Sequence, residues 1–244
     1  VITPQIFDTE LWKRSGHYDN YQDNMYFIRH DDREYGLKPM NCPAHALIYS
    51  SRLRSYRDLP IRFTDFGRLH RYERSGVTHG LTRVRTFSQD DAHIFCTPDQ
   101  VAVEVRTLIE MYQQTYSLFK FEEVRIALSL RPEKRVGSDE IWDTAETTLR
   151  RVLEETNLPF ESLTGEGAFY GPKIDFFVPD ALSREWQLGT IQLDFSLPER
   201  FDLEYVSDDG SRQRPVVLHK AMIGSDMASP KLSLQNSRPS PRSK

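Results

Sequence analysis

The sequence predicts an α+β domain, in which a mostly antiparallel β-sheet is flanked by helices. Predicted strands outnumber predicted helices and follow one another along the chain, which favours antiparallel neighbours over alternating β–α–β units. At 244 residues, the chain is long enough for one large domain with a substantial core. We expect this domain to occupy residues 1–226, and we expect the Ser-, Pro- and basic-rich stretch 227–244 to be disordered.

Turn residues and periodicity assign the elements of the first part of the chain. A short strand opens the sequence, and a helix predicted at 8–15 follows it and ends before a glycine. Two strands are predicted around 25–28 and 34–37. Pro43 marks the start of the next helix, so we expect Cys42 to lie near its N-cap.

Two longer helices are predicted from their caps and their helical period. Thr97, Pro98 and Gln100 form a helix-opening sequence, after which apolar residues recur at helical spacing. Ser138 caps a second amphipathic helix at 139–156. The remaining strands are predicted at 124–130, 160–163, 173–178, 186–195, 201–206 and 215–218. An Asp-Asp-Gly turn at 208–210 is expected to link the last pair of strands.

The stretch 71–95 is the part of the sequence around which the rest is organised. It predicts a hairpin of two strands, 61–73 and 83–95, joined by a polar loop. Alternation puts one set of side chains of the second strand on a single face: Arg85, Phe87, Gln89, Asp91, His93 and Phe95. Arg71 and Glu73 of the first strand share that face. Such a set fits a binding site, but it also fits the solvated outer face of an antiparallel sheet.

The composition is that of a globular protein, with 38% hydrophobic and 28% charged residues. The net charge of −4 gives no global basic field that would indicate nucleic acid. Between positions 50 and 85, however, there are nine arginines, no lysine and three acids. Guanidinium groups suit bidentate binding of phosphate or carboxylate. For outer arginines such as Arg52 and Arg54, a solvated basic face is the commoner explanation.

Cysteine usage and hydropathy indicate the compartment. Cys42 and Cys96 are too few for a disulfide scaffold, and they predict a reducing, cytoplasmic location. No apolar run approaches the roughly 20 residues that cross a bilayer, so we expect no membrane partner. No signal peptide opens the chain. Because the first residue is a valine in a strand-like sequence, we expect a fragment whose start lies upstream.

Three residues that are far apart in the sequence are the best candidates for a zinc site. Cys42 at a helix N-terminus is expected to have a lowered pKa, which favours the metal-binding thiolate. His93 lies on the polar face of the hairpin, and His219 ends the apolar strand PVVLH. Spacing alone is a weak signal, and His45, one helical turn after Cys42, is the rival ligand. Cys96 has the wrong parity to join His93 and fits a buried free thiol.

A nucleotide site in this chain would depend on arginines and a sheet, because there is no Walker-type loop and no GxGxxG sequence. Arg71 and Arg85 project from neighbouring strands, with Arg83 at the loop. A guanidinium on a rigid strand is a suitable clamp for an α-phosphate. Phe87, on the same face, could stack on a base.

Two later stretches carry polar groups that a core does not need. The segment GEGAFYGPKIDFFV presents Tyr170 and Lys173 beside a strand, although a tight turn alone is the preferred explanation of its glycines. Gln187 and Gln192 lie in a strand that is otherwise apolar. Buried amides need partners, so these two indicate contact with a substrate.

Taken together, these stretches resemble the catalytic core of the threonyl-tRNA synthetases, a family of class II aminoacyl-tRNA synthetases. The similar stretches run in the family's order over about residues 1–225 and are LWKRSGHYDNY, YGLKPMNCPAHALIY, SYRDLPIRFTDFGRLHRYERSG, HGLTRVRTFSQDDAHIFC, LSLRPEKRVGSDEIWD, GEGAFYGPKIDF, GTIQLDFSLPERF and PVVLHKAMIGS. The metal triad separates this family from its seryl and prolyl relatives. The resemblance implies a class II synthetase-like fold and a ligase that joins threonine to ATP and then to tRNA(Thr).

The resemblance also implies roles for single residues. Zinc would be held by Cys42, His93 and His219, and its open position would take the amino group and hydroxyl of threonine, which valine cannot match. Asp91 would accept from that hydroxyl, and Tyr170 would help to hold the amino group. The residues implied in substrate binding are Gln89, Asp91, Tyr170, Gln192 and Met40.

The implied nucleotide site uses ATP and Mg²⁺. Its residues are Arg71, Glu73, Arg83, Phe87, Gln187 and Ser225. Catalytic roles are implied for Arg71 at the α-phosphate, for Lys173 at the adenylate and for His17 at the tRNA ribose.

The sequence departs from the family at both ends. After Ser225 the family continues with a helix whose arginine packs on ATP, and no such arginine follows here. The long helix of the family's homodimer interface is missing before Pro4, as are the editing and anticodon-binding domains. We therefore expect the fold and zinc site to carry over, whereas full activity does not follow. The alternative is an inactive module that binds zinc and threonine; an unrelated zinc hydrolase lacks an HExxH sequence.

Overall fold

The computed structural model describes residues 1–78, 80, 83–121, 123–180 and 182–224. The helices are α1 (Thr9–Ser15), α2 (His17–Tyr21), α3 (Cys42–Ser50), α4 (Val101–Leu118), α5 (Asp139–Glu155) and α6 (Ser196–Arg200). The strands are β1 (Ile6–Asp8), β2 (Phe27–His30), β3 (Arg33–Leu37), β4 (Ile61–Asp65), β5 (Leu69–His70), β6 (Thr86–Phe87), β7 (Asp91–Cys96), β8 (Arg125–Ser129), β9 (Phe160–Leu163), β10 (Lys173–Pro179), β11 (Glu185–Asp194), β12 (Tyr205–Val206), β13 (Arg212–Gln213) and β14 (Val216–Ala221).

A seven-stranded sheet dominates the described residues, with strand order β4-β7-β14-β11-β10-β8-β9. Its neighbouring strands run antiparallel, apart from β8 and β9, which are parallel and joined through α5. A smaller sheet has the order β1-β3-β2. The predicted α+β fold with a mostly antiparallel sheet is therefore confirmed. The expected disorder of 227–244 falls outside the described residues.

Helices cover both faces of the large sheet. On one face, α4 and α5 pack through buried side chains such as Val105, Tyr112 and Leu149. On the other face, α3 and α6 form a second cluster that includes Cys42 and Phe95. The alternation predicted for the second hairpin strand holds, because Ile94 and Cys96 join the first cluster while Phe95 joins the second. The helix caps at Thr97 and Ser138 are also present as predicted. Across the part of the chain that is described, none of the helices combines the length and hydropathy needed to cross a bilayer.

The central hairpin is interrupted rather than continuous. The pair β4–β7 ends at Asp65 opposite Asp91, and the pair β5–β6 resumes with Leu69 opposite Phe87. At the break, the Asp65 carboxylate accepts the backbone N–H of Gly67 at 2.6 Å and turns the chain there. The loop predicted to join the strands includes residues 79, 81 and 82, which lie outside the described part.

The C-terminal strands also differ from the prediction. Of the strand expected at 201–206, only Tyr205–Val206 forms, and the short helix α6 precedes it. The reason is Asp194, whose carboxylate accepts the backbone N–H groups of Ser196 and Leu197 and starts the helical turn. The turn at 208–210 therefore joins β12 to β13, rather than leading to β14.

Candidate active site

A thiol and two imidazoles from distant parts of the chain converge on one face of the large sheet. The ligand atoms of Cys42, His93 and His219 lie within 4.8 Å of one another, and all three residues are buried. Cys42 is the first residue of α3, which begins there because Pro43 follows. His93 and His219 lie opposite each other on β7 and β14, and their Nε2 and Nδ1 atoms are 2.9 Å apart. The structure thus brings together the three metal candidates of the sequence.

The protonation of these groups is controlled mainly by burial. Burial raises the pKa of the Cys42 thiol well above its usual range, and the Asp91 and Asp194 carboxylates add to this shift. The expected lowering of its pKa by the helix is therefore wrong for the protein alone, because desolvation outweighs the helix N-terminus. A bound cation would favour the thiolate by direct attraction. Burial also lowers the pKa of His93 well below its usual value, which keeps that imidazole neutral, as a metal ligand must be.

In each histidine of the cluster, the ring nitrogen that faces away from the other histidine also has a contact. His45, the predicted rival ligand, contacts the far nitrogen of His93, with 2.8 Å between their Nδ1 atoms. It is not part of the metal cluster that the described residues form. The far nitrogen of His219, Nε2, lies 2.9 Å from Asp194 Oδ2. Each imidazole therefore has its second nitrogen engaged.

A cavity of about 370 Å³ lies over the cluster and gathers most of the predicted site residues. Those that line it are Met40, Cys42, Arg71, Gln89, Asp91, His93, Tyr170, Gln187, Gln192 and His219. Asp91 is oriented by Asn41, whose side-chain amide donates to Asp91 Oδ2 at 2.8 Å. Burial raises the pKa of Asp91 to about 6, which leaves it largely ionised at neutral pH. The cavity thus combines a metal-ligand set with one arginine and one carboxylate.

Arg71 lines the cavity, and we call Arg71 together with the neighbouring Phe87, Glu73 and Arg83 the arginine edge. Arg71 donates through Nε to the Pro39 carbonyl, and its guanidinium lies 4.9 Å from the centre of the Phe87 ring. Glu73 pairs with the more exposed Arg83 at 3.1 Å. Phe87, Glu73 and Arg83 are therefore next to Arg71 but do not line the cavity. Ser225 lies outside the described residues.

Two predicted catalytic residues lie behind the cavity lining, in contact with other side chains. Lys173 forms an ion pair with the buried Asp175, which also accepts from Ser129 and Gln187. His17 is 2% exposed, and its Nε2 lies 3.1 Å from Met40 Sδ. Burial lowers the pKa of His17 to about 3. Neither side chain lines the cavity as the described residues form it.

Sequence reasoning missed Asn41 and Asp194, which orient Asp91 and His219. Asp194 had a signal, because it has the same parity as Gln192 on one strand and therefore shares its face. No sequence signal pointed to Asn41, apart from its position next to Cys42.

Comparison with known proteins places the chain in a family. Residues 25–227 match the family model described as tRNA synthetase class II core domain (G, H, P, S and T). The chain therefore belongs to the class II tRNA synthetase core domain family.

Within that class, two similar curated proteins are named threonine–tRNA ligases. The chain is 55% identical over 225 residues to a threonine–tRNA ligase from Bdellovibrio bacteriovorus, covering 92% of this chain and 34% of that protein. It is 57% identical over 225 residues to a threonine–tRNA ligase from Methylobacillus flagellatus, covering 92% of this chain and 35% of that protein. The chain thus spans about a third of the length of these curated relatives.

A solved structure that is similar to this chain also comes from a threonyl-tRNA synthetase. A crystal structure described as the RNA-binding domain of threonyl-tRNA synthetase from Cryptosporidium parvum Iowa II has a TM-score of 0.93 and 48% identity. The similarity covers 96% of this chain and 59% of that chain. The resemblance to threonyl-tRNA synthetases found in the sequence is therefore confirmed.

Proposed function

We propose that residues 1–226 form the catalytic core of a threonine–tRNA ligase, which activates threonine with ATP to threonyl-adenylate and transfers it to tRNA(Thr). The observation that carries this proposal is the convergence of Cys42, His93 and His219 beneath a cavity that also contains Arg71 and Asp91. The names of the similar proteins support threonine as the amino acid. The cytoplasmic location is inferred from the cysteine usage, and the homodimer is inferred from the family resemblance.

The ligand set fits zinc. One thiolate and two imidazoles are among the donors that Zn²⁺ prefers, and three protein ligands leave a coordination position for a substrate. When bound, zinc would supply a Lewis-acidic position for the amino and hydroxyl groups of threonine. The protein's own part is to keep the His93 imidazole neutral, which its burial favours, and to orient both imidazoles, which the contacts of His45 and Asp194 favour.

Selection of threonine would depend on Asp91. Its carboxylate faces the cavity while Asn41 holds one of its oxygens, so the other oxygen can accept the substrate hydroxyl. Valine has no hydroxyl and would leave this buried acceptor unpaired, which is a strong ground for rejection. Tyr170 would help to hold the amino group, because it lies next to the candidate ligand His219. The centres of their stacked rings are 4.9 Å apart. Met40 would close the cavity beside His17.

Activation would use the arginine edge. Arg71 would stabilise the charge on the α-phosphate as the threonine carboxylate attacks, with Mg²⁺ assisting at the phosphates. Phe87 would stack on the adenine, and Glu73 would accept from its edge. The other residues assigned to the nucleotide are Arg83, Gln187 and Ser225, and those assigned to the adenylate are Gln89, Lys173 and Gln192. His17 is assigned to transfer at the tRNA ribose, which would require it to become accessible when tRNA binds.

Threonine-dependent exchange of pyrophosphate into ATP by the purified chain tests this function. We expect exchange with threonine and none with valine. Arg71→Ala should abolish exchange while retaining the metal, because the described hydrogen bond of Arg71 goes to the Pro39 carbonyl and Arg71 is not one of the three candidate ligands. Threonine binding without exchange would instead identify a non-catalytic zinc- and threonine-binding module. Failure of the zinc-loaded chain to bind threonine would contradict both.

A further inference from the structure

A chain of four buried polar groups runs through the candidate metal site and past it. Asp194 Oδ2 lies 2.9 Å from His219 Nε2, and His219 Nδ1 lies 2.9 Å from His93 Nε2. His93 Nδ1 in turn lies 2.8 Å from His45 Nδ1. The chain ends there, because His45 Nε2 is buried and has no hydrogen-bond partner among the described residues. Each contact needs one donor and one acceptor, so the proton positions along the chain depend on one another.

Asp194 fixes the direction in which hydrogen bonds are donated along this series of polar groups. Its other oxygen, Oδ1, accepts the backbone N–H groups of Ser196 and Leu197 at 2.7 and 2.9 Å, so the carboxylate cannot rotate without breaking both bonds. An ionised carboxylate only accepts, and His219 must therefore carry a proton on Nε2. That tautomer leaves the lone pair of His219 Nδ1 directed towards the cluster.

We propose that Asp194 is a positioning residue that sets the tautomer of His219 and, through it, those of His93 and His45. In the protein without metal, His93 donates from Nε2 to His219, and His45 donates from Nδ1 to His93. This proton assignment makes His45 Nε2 an acceptor, and no donor reaches it in the described structure.

Metal binding has a defined consequence for these protons. This inference rests on the proposed metal site, in which the facing nitrogens, His93 Nε2 and His219 Nδ1, are the ligands. His219 is already in the required tautomer. His93 must transfer its proton from Nε2 to Nδ1, and His45 must then accept at Nδ1 and carry its proton on Nε2. His45, which is not a ligand, therefore reports on metal binding.

Asp194→Asn should reverse the direction of hydrogen-bond donation along these four polar groups while leaving their positions unchanged. The two backbone N–H groups require an acceptor, so the amide oxygen occupies the place of Oδ1 and the NH₂ group faces His219. His219 must then accept at Nε2 and carry its proton on Nδ1, which blocks the metal-facing lone pair. Asp180→Asn is the matched control, because Asp180 is buried and accepts the backbone N–H groups of Leu182 and Arg184, but its described partners include no histidine.

The test measures histidine tautomers by long-range ¹H–¹⁵N correlation and zinc affinity by competition with a chelator, on the full 244-residue chain. In the metal-free wild type we expect protons on His219 Nε2, His93 Nε2 and His45 Nδ1, and zinc should change the last two but not the first. Asp194→Asn should invert the metal-free tautomers and weaken zinc binding by about 10–100-fold. Asp180→Asn should match the wild type in both measurements.

Two outcomes would overturn parts of this account, and they are separable. If Asp194→Asn keeps the wild-type tautomer of His219 and binds zinc as Asp180→Asn does, the role of Asp194 is refuted while the metal site stands. If the wild type binds no zinc, the metal site of the proposed function is refuted. The tautomers of the metal-free protein would still decide the role of Asp194.

Discussion

The two cysteines differ at the scale of single residues, although both are buried. Cys42 lies in the metal cluster, whereas Cys96 lies in the apolar core between the sheet and α4. Burial raises the pKa of Cys96 to about 12, which makes its thiol unreactive.

Cys42→Ser should therefore remove the metal while Cys96→Ser retains it. We expect about one zinc per wild-type chain, since the three ligands form one site. Elemental analysis of the purified variants measures this directly. Zinc retained by Cys42→Ser, or lost from Cys96→Ser, would contradict the assigned ligands.

Asn41 provides a second test, because its amide is the described donor to the Asp91 carboxylate. Asn41→Ala should weaken threonine binding by roughly 1.5–3 kcal/mol, the range for a hydrogen bond to a charged group. Titration calorimetry with threonine measures this loss. Asn20→Ala serves as the control, because the Asn20 amide donates to the Gly16 carbonyl outside the cavity. Equal affinity in the two variants would show that Asn41 does not orient Asp91.

Residue types and strand parity were enough to predict the metal candidates and most of the cavity. They were not enough to predict what lies behind those residues. The contacts of His45 and Asp194 depend on the register of β7, β14 and β11, which places Gln192 opposite His219 and which no local pattern encodes. The predicted lowering of the Cys42 pKa was wrong for the same reason, since desolvation depends on the packing around α3.

At the scale of elements, local signals predicted the helices well and the hairpin only in part. The cap at Thr97, which opens the turn leading into α4, and the cap of α5 involve contacts within a few residues, so the sequence contains them. The break after β4 depends on Asp65, which looks in the sequence like another polar residue in an alternating strand. Its carboxylate is held by Thr3 and Lys38, which are distant in sequence, and only this arrangement directs it to Gly67.

The loop before β10 approaches β11 closely and requires a glycine. A Cβ at Gly171 would lie 1.9 Å from the Leu193 carbonyl oxygen, which is backbone and cannot move freely. Gly171→Ala should destabilise the fold by about 1–3 kcal/mol and displace the neighbouring Tyr170. Urea unfolding and threonine affinity should both change.

Gly165→Ala is the matched control in the same loop. A Cβ there meets no atom within 4 Å, and its cost arises only from a backbone φ of +86°. It should lower stability but leave threonine affinity unchanged. Equal effects of the two variants on affinity would contradict a role for the close approach in holding Tyr170.

At the scale of the whole molecule, one buried ion pair joins the two principal sheets. Lys38 follows β3 of the small sheet, Asp65 ends β4 of the large sheet, and both side chains are 0% exposed at 3.3 Å. Lys38 also donates to Thr3 Oγ1, so the first residues of the chain join the same contact.

Lys38→Met should lower the free energy of unfolding by about 3–5 kcal/mol, because it leaves the Asp65 carboxylate buried without its cation. Adding Asp65→Asn should recover part of that loss, since the uncompensated charge is then removed while the amide oxygen can still accept from the backbone N–H of Thr3 or Gly67. Arg212→Met, which breaks the exposed pair with Glu204, should change stability little. Urea denaturation measures all three, and a double variant no more stable than Lys38→Met would contradict this account.

The interrupted hairpin has three residues on each side of its gap, 66–68 in one arm and 88–90 in the other. Because the gap is balanced, the ladder resumes in step, and Arg71 stays on the same side as Asp91. Adding or deleting one residue in a single arm would break the register between the arms, and only matched changes of two residues in both arms would keep both the register and the side on which the guanidinium lies. Length variation among homologous chains should accordingly occur here in compensated pairs.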